Sequence, residues 1–105
     1  MIDIENLRAL QASGAVKWSE HIALRMLRRG ISKAQVVAAI KSGAVIEDYP
    51  DAYPYPACLI LGKDAEGTPL HVCCGIGAGN VWMITAYRPD ADEWEDDLRT
   101  RKVKQ

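Results

Sequence analysis

The chain lacks the sequence features of secreted, membrane-spanning and zinc-binding proteins. Its three cysteines, Cys58, Cys73 and Cys74, show neither CxxC nor CxxxH spacing, which argues against a disulfide framework or a zinc knuckle. No apolar run approaches the roughly 18 residues of a membrane span, and residues 1–5 have neither the basic start nor the apolar stretch of a secretory signal. We therefore expect a soluble, cytoplasmic protein that makes no membrane contact and keeps its cysteines reduced.

The chain also lacks the motifs of nucleotide-dependent enzymes. It has no Walker lysine motif and no GxSxG elbow, and its glycine-rich stretch, residues 75–80, joins two predicted strands. Only a strand-to-helix turn places amides and a helix dipole at a pyrophosphate, so this stretch does not predict a nucleotide site. Acidic residues between 90 and 97 mostly open a predicted helix, where negative charge stabilises the helix itself. We expect neither a cofactor nor a metal ion.

The composition is that of one compact domain over residues 1–105. Apolar residues make up 49% of the chain and charged residues 26%. At this length, folding buries about two thirds of the surface of the extended chain.

Charge is segregated along the chain, with a net charge of +4 in residues 1–43, −9 in residues 44–98 and +4 in residues 99–105. This pattern is typical either of solvated helix faces or of a local basic surface for phosphate.

Apolar spacing predicts three helices followed by four strands. The helices begin at Ile4, Ser19 and Ser32 and end before Ser13-Gly14, Gly30 and Gly43. The apolar period then shortens to 2 residues in the runs Ala44–Tyr49, Cys58–Gly62, Leu70–Ile76 and Val81–Tyr87. A last short helix is predicted after Asp90, with Glu93 at the capping-box position. We predict an α+β fold in which N-terminal helices pack on one face of a four-stranded antiparallel sheet.

Helix two carries a polar stripe that suits phosphate chemistry. His21, Arg25 and Arg28 stand at i, i+4 and i+7 and therefore share one side of the helix. A histidine moves protons near neutral pH, and guanidinium groups bind phosphate oxygens. His71, the other histidine, lies in an otherwise apolar strand. An ordinary solvated helix face and a hydrogen-bonded structural histidine are the alternative interpretations.

The face of the sheet that His71 occupies depends on the turn before the last strand. Alternation puts Thr85 and Tyr87 on one face and Arg88 on the other. A two-residue turn at 78–79 would place His71 with Arg88, whereas an odd-length loop would place it with Thr85 and Tyr87. We favour the second placement.

Residues 49–56 form a proline-stiffened loop with three tyrosines. The loop is either a plain extended connection or a surface on which unpaired bases stack, with Tyr49 as a candidate RNA contact.

Two histidines from distant elements are what a metal-independent ribonuclease uses. One removes the proton of the 2′-hydroxyl, the other protonates the leaving 5′-oxygen, and arginines stabilise the phosphate.

The order of these residues resembles a known bacterial family. The resemblance spans about residues 19–101 and rests on His21, Arg28–Ile31, Val36, Ile40, Gly43, Ile46–Tyr49, Leu61-Gly62, Leu70–Val72, Ile84–Pro89 and Trp94. This string is similar to domain-of-unknown-function family 4258, a family that resembles the barnase, EndoU, colicin and RelE superfamily of small metal-independent ribonucleases. The resemblance implies a RelE-like arrangement, an RNA-cleaving toxin and an antitoxin partner. It also implies that His21, His71, Thr85 and Tyr87 occupy the family's recurrent polar positions.

We predict from these features a metal-independent endoribonuclease of toxin type. His21 and His71 would act as acid and base, Thr85 and Tyr87 would orient the phosphate, and Arg25, Arg28, Arg88 and Tyr49 would bind it. The first alternative is a non-catalytic interaction module that docks a basic partner on residues 47–51 or 90–97. The second is a small-molecule pocket around Trp82 on the sheet.

Overall fold

The computed structural model describes residues 2–103, which form three helices and five strands. The helices are α1 (Ile4–Ala12), α2 (Glu20–Arg29) and α3 (Lys33–Ser42). The strands are β1 (Val16–Trp18), β2 (Ala44–Tyr49), β3 (Ala57–Lys63), β4 (Pro69–Gly77) and β5 (Asn80–Tyr87). The predicted α+β class is confirmed. None of the helices in this part of the chain is long and apolar enough to cross a bilayer.

Side-chain caps begin the helices where the sequence predicted them. The Ser19 hydroxyl accepts a hydrogen bond from the Ile22 amide at 3.2 Å. Ser32 and Gln35 complete the predicted capping box with bonds of 3.1 and 2.8 Å. Helix α2 ends at Gly30, whose φ of 68° lies in the left-handed region that favours glycine. Local chemistry therefore sets these boundaries.

The sheet has five strands in the order β1-β5-β4-β3-β2 and is mixed rather than wholly antiparallel. Strands β2 to β5 pair antiparallel with their neighbours in sequence, as predicted. Strand β1 was not predicted and lies parallel to β5, with Val16 opposite Val81. A three-residue strand is too short to show an apolar period, which is why the sequence did not reveal it.

The predicted C-terminal helix is wrong. Residues 90–103, which we call the C-terminal cover, form turns closed by an isolated bridge between Trp94 and Arg101. Backbone bonds join Glu95 to Thr100 at 2.8 Å and Lys102 to Glu93 at 2.9 Å. The Trp94 side chain is buried against the sheet. These tertiary contacts override a local helical preference that is small per residue.

The helices cover one face of the sheet, and the main hydrophobic core lies between the helices and that face. Its buried members are Leu7, Ile22, Met26, Val36, Ala39 and Ile40 from the helices, with Cys58, Ile60, Leu70, Val72, Cys74, Val81, Met83 and Ala86 from the strands. Helix α3 approaches β3 so closely that a Cβ on Gly62 would overlap the Ala39 backbone. Cys58 and Cys74 are buried in this core, and Cys73 is half-buried.

A bulge in β5 decides which side chains share the other side of the sheet, which we call the second face. The β4–β5 turn has two residues, Ala78 and Gly79, with φ of 51° and 76°. That turn alone would set His71 opposite Ala86. The register shifts within β5, however, so His71 lies opposite Tyr87. The predicted placement of His71 with Tyr87 is confirmed, although a bulge rather than an odd-length loop produces it.

Candidate functional site

Polar side chains from three strands meet on the second face. The pairing register aligns Glu47 with Leu59, Cys73 and Thr85 in one row of that face. The neighbouring row contains Leu61, His71 and Tyr87. Side chains in one row point to the same side of a sheet. Glu47, His71 and Tyr87 therefore face the same surface although 24 and 16 residues separate them in sequence.

His71 has no exposed surface and uses both ring nitrogens in hydrogen bonds. Its Nε2 lies 2.8 Å from the Leu98 carbonyl oxygen, which only accepts, so Nε2 carries the proton. Its Nδ1 then accepts from the Tyr87 hydroxyl at 3.2 Å. Burial lowers the pKa of His71, and the neutral imidazole is the form that satisfies both bonds.

Glu47 is held by two partners at the edge of this cluster. Arg101 donates to both carboxylate oxygens, at 2.8 and 2.9 Å, and the Tyr49 hydroxyl also donates to Glu47. The hydrogen bonds from Arg101 lower the pKa of Glu47 despite its partial burial. Burial and the neighbouring carboxylate raise the pKa of Tyr49 to about 12. At neutral pH the cluster therefore presents a carboxylate, a guanidinium and neutral phenols.

The C-terminal cover closes His71 off from solvent. The Trp94 ring packs edge-on against His71, with 4.5 Å between the ring centroids, and the Arg101 guanidinium lies 4.7 Å from the Trp94 ring centre. Asp97 accepts hydrogen bonds from the amides of residues 99 and 100, which shape the turn. The cover is thus fastened to the sheet through Trp94, the Leu98 carbonyl and Arg101. These contacts leave His71 inaccessible while the cover is in place.

The structure does not bring His21 and His71 together. Helix α2 packs on the first face of the sheet through Ile22 and Met26, and its His21 and arginine stripe is exposed. His71 lies on the second face, so the sheet stands between the two imidazoles. Arg25 and Arg28 are exposed on the same helix as His21. The histidine pair expected from the sequence is not assembled in this structure.

Two other predicted residues make structural contacts. Arg88 donates to the Asp64 carboxylate at 2.8 Å and to the Pro69 carbonyl at 2.9 Å, which ties β5 to the β3–β4 connection. The Thr85 hydroxyl accepts from Arg29 at 3.1 Å. Arg88 is therefore already paired, whereas Tyr49 and Tyr87 do join the cluster on the second face.

Sequence reasoning missed Glu47 and Arg101 as members of the cluster. Glu47 alternates with Tyr49 in β2, and this period-2 spacing was a usable signal that both face one side. Arg101 carried no such signal, because it reaches Glu47 only through the irregular path of the C-terminal cover.

An apolar cavity of about 300 Å³ lies beside β5 on the second face. Tyr53, Tyr55 and Trp82 line it, together with the backbone of Gly75 and with Ser19 at the start of α2. The expected pocket around Trp82 is therefore present. It lies one row beyond Glu47, in the row that also holds Tyr49.

The Cys73 thiol and the acidic side chains of residues 2–103 do not build a separate reactive centre. Burial raises the pKa of the Cys73 thiol to about 11, so it is not a thiolate at neutral pH. Within residues 2–103, no group of three or more histidine, cysteine, aspartate or glutamate side chains is placed to hold a metal ion. The chemistry of the site therefore rests on the cluster around Glu47 and His71.

Comparison with known proteins identifies one family. The model described as "Domain of unknown function (DUF4258)" matches residues 18–88, which is more than half of the 105 residues. The matched segment contains α2, α3 and strands β2 to β5, including Glu47 and His71. No curated protein and no solved structure matches the chain.

Proposed function

The chain belongs to the DUF4258 family, and on this premise we propose that it is a small metal-independent endoribonuclease of toxin type that acts on the second face of its sheet. The observation that supports the proposal is that a carboxylate, an imidazole, a guanidinium and two phenols lie on that face, in two hydrogen-bonded groups. They belong to Glu47, His71, Arg101, Tyr49 and Tyr87. These group types supply proton transfer and phosphate binding without a metal.

The proposed reaction is cleavage of RNA by its own 2′-hydroxyl. A base removes the 2′-hydroxyl proton, the 2′-oxygen bonds to phosphorus, and the bond from phosphorus to the 5′-oxygen breaks. An acid protonates that 5′-oxygen, so the products are a 2′,3′-cyclic phosphate and a 5′-hydroxyl. Glu47 and His71 would exchange these protons in an order still to be assigned, and Arg101 would bind the phosphate.

The fold class is compatible with the ribonuclease superfamily that the sequence resembles. Helices pack on one face of four antiparallel strands, β2 to β5, and the second face holds the Glu47 cluster under the C-terminal cover. The added parallel strand β1 lies at the sheet edge, away from the Glu47 cluster. The RelE-like arrangement, RNA as substrate, an antitoxin partner and a cytoplasmic location are parts of this proposal.

Access to the cluster requires that the C-terminal cover move. His71 is fully buried, whereas the Arg101 side chain is 57% exposed and that of Glu47 is 22% exposed. A phosphate group can therefore reach Arg101 before the cover lifts. Displacement of Arg101 from Glu47 would release one of the three attachments of the cover.

A non-catalytic interaction module is the second candidate. The observation that favours it is the complete burial of His71 with both nitrogens occupied, which is typical of a structural histidine. The acidic side chains of residues 90–97 are exposed on the C-terminal cover. Their charge suits a basic partner.

Cleavage of single-stranded RNA by the full chain in EDTA distinguishes the two candidates. We expect products with 2′,3′-cyclic phosphate ends, a rate at least roughly 100-fold lower for Glu47→Gln, and an unchanged rate for His21→Ala. Glutamine keeps the shape of Glu47 but cannot transfer the proton. Absence of cleavage by the parent chain would leave the interaction module as the function. Undiminished cleavage by Glu47→Gln would place the reactive centre outside the Glu47 cluster.

A further inference from the structure

We propose that the apolar cavity beside Trp82 binds one unpaired base of single-stranded RNA, with Lys17 next to the adjoining phosphate. The inference deepens the proposed function and rests on it for the identity of the polymer. The cavity volume of about 300 Å³ lies at the small end of ligand pockets, which suits a single planar ring system. Its lining includes the aromatic side chains of Tyr53, Tyr55 and Trp82, on which bases of any sequence stack.

The Trp82 and Tyr55 rings of the cavity are fixed before any ligand binds. The Trp82 indole donates a hydrogen bond to the Gly77 carbonyl at 2.9 Å, and its ring lies 5.4 Å from that of Tyr55 at an interplanar angle of 30°. The Tyr55 ring rests where a Cβ on residue 77 would be, so glycine at that position makes the contact possible. Two prolines, Pro54 and Pro56, flank Tyr55 and limit its backbone freedom. A preformed platform loses little entropy on binding.

Tyr53 supplies a free ring at the rim of this platform. Its side chain is 97% exposed, although tyrosine rings are usually at least partly covered, and it lines the cavity with Pro54. A base inserted between Tyr53 and the Tyr55–Trp82 pair would bury apolar surface on both of its faces. Tyr53 is thus the side chain that a ligand would cover most.

Lys17 places a positive charge beside the aromatic platform. In the parallel pairing of β1 with β5, Lys17 is opposite Trp82. Its neighbours Val16 and Trp18 pack against the core, so Lys17 points to the second face with Trp82, and it is exposed. An aromatic site with an adjacent cation matches a nucleotide, which joins a planar base to a phosphate.

The cavity and the Glu47 cluster share one surface. Trp82 and Gly75 occupy one row of the second face, and Thr85 and Glu47 occupy the next. Rows on one face of a sheet are separated by two residues, or about 7 Å along the strand. Trp82 in β5 and Glu47 in β2 are also three strands apart, so the two residues lie roughly 16 Å from each other across the sheet. A few nucleotides of an extended strand span that distance, so a base in the cavity would leave a phosphate further along the same strand near Arg101.

The test uses the full chain and a fluorescein-labelled hexauridylate that is 2′-O-methylated at every residue. Methylation blocks the attacking oxygen, so binding is measured without cleavage. By fluorescence anisotropy we expect Tyr53→Ala to bind roughly tenfold more weakly than the parent chain. We expect Lys17→Gln to bind more weakly and to reduce the slope of log Kd against log salt by about 0.7. Leu27→Ala removes an exposed apolar side chain from α2, outside the cavity, and is the matched control with unchanged binding.

Two results would overturn the base site. One is equal binding by Tyr53→Ala and the parent chain, and the other is equal affinity for an abasic oligomer of the same charge. Cleavage of unmethylated RNA in EDTA, run alongside, separates this inference from the proposed function. Loss of binding in Tyr53→Ala by a chain that never cleaves RNA supports the base site and rejects the nuclease. Cleavage by the parent chain, together with equal binding by Tyr53→Ala, supports the nuclease and rejects the base site.

Discussion

The stripe on α2 and the cluster on the second face contain similar groups but differ in how they are held. His21, Arg25 and Arg28 are exposed on one helix, within two turns of each other. Glu47 and His71 come from different strands and are fixed by Arg101, the tyrosines and the C-terminal cover. Helical periodicity brings polar groups onto one side without orienting them. Strand register and tertiary contacts position them, and proton transfer depends on such positions.

The largest expected effect in this comparison follows the loss of the Trp94 side chain. Trp94 is buried against His71, so Trp94→Ala should lower the free energy of unfolding by about 3–5 kcal/mol. The control on α2 is Leu27→Ala, whose side chain is 77% exposed and which should change stability by about 0.5 kcal/mol at most. Urea denaturation measures both. A loss below about 1 kcal/mol for Trp94→Ala would show that the cover contributes little to the fold.

A smaller change in the free energy of unfolding is expected when His71 takes up a proton. Burial lowers its pKa in the folded protein, so the unfolded chain binds the proton more readily. Burial of the neutral His71 therefore makes the folded state less stable relative to the unfolded chain once the unfolded histidine takes up a proton. The stability is complete above the ordinary histidine pKa of 6.5 and is lost as the pH falls from there toward the lower pKa of the folded protein. The charged groups facing His71 are Glu47 and Arg101, and the pKa of Glu47 is lowered from 4.5, below this window.

Urea midpoints between pH 8 and about pH 5.5 test the titration. The midpoint of the parent chain should fall with pH, and His71→Gln should flatten that dependence even if it lowers stability throughout. His21→Gln, altered at the exposed histidine, should keep the slope of the parent chain. An unchanged slope in His71→Gln would mean that another group is responsible.

The smallest changes in stability and activity are expected from substitutions in the polar stripe on α2. Replacing His21, Arg25 and Arg28 by alanine one at a time should change stability by about 0.5 kcal/mol or less, because each side chain is exposed. The rate of RNA cleavage at saturating RNA should also stay unchanged. If any of the three lost as much activity as Glu47→Gln, the reactive centre would lie on the helix after all.

The sequence predicted the elements well because their signals are local. Serine caps, the Ser32–Gln35 box and Gly30 mark helix ends through contacts within four residues. Period-2 runs located β2 to β5 to within one residue at every end. Residues 90–97 had equally good helical signals, yet contacts of Trp94 with His71 prevailed there.

The candidate site was predicted only in part. Tyr49, His71 and Tyr87 were singled out, and all three lie on the second face, where Tyr49 donates to Glu47 and Tyr87 donates to His71. His21, Arg25 and Arg28 are elsewhere, and Arg88 is paired with Asp64. Whether any of these residues takes part in catalysis remains a prediction for the cleavage assay.

By itself, the sequence determined the α+β class, the helix ends and the alternation of side chains along each strand, because these depend on interactions between near neighbours. Tertiary structure decided the face that His71 occupies, through one bulge in β5. It also decided that Arg101 would reach Glu47, 54 residues away, and that Trp94 would cover His71. Such contacts depend on register and on the path of an irregular segment, which the period of apolar residues does not encode.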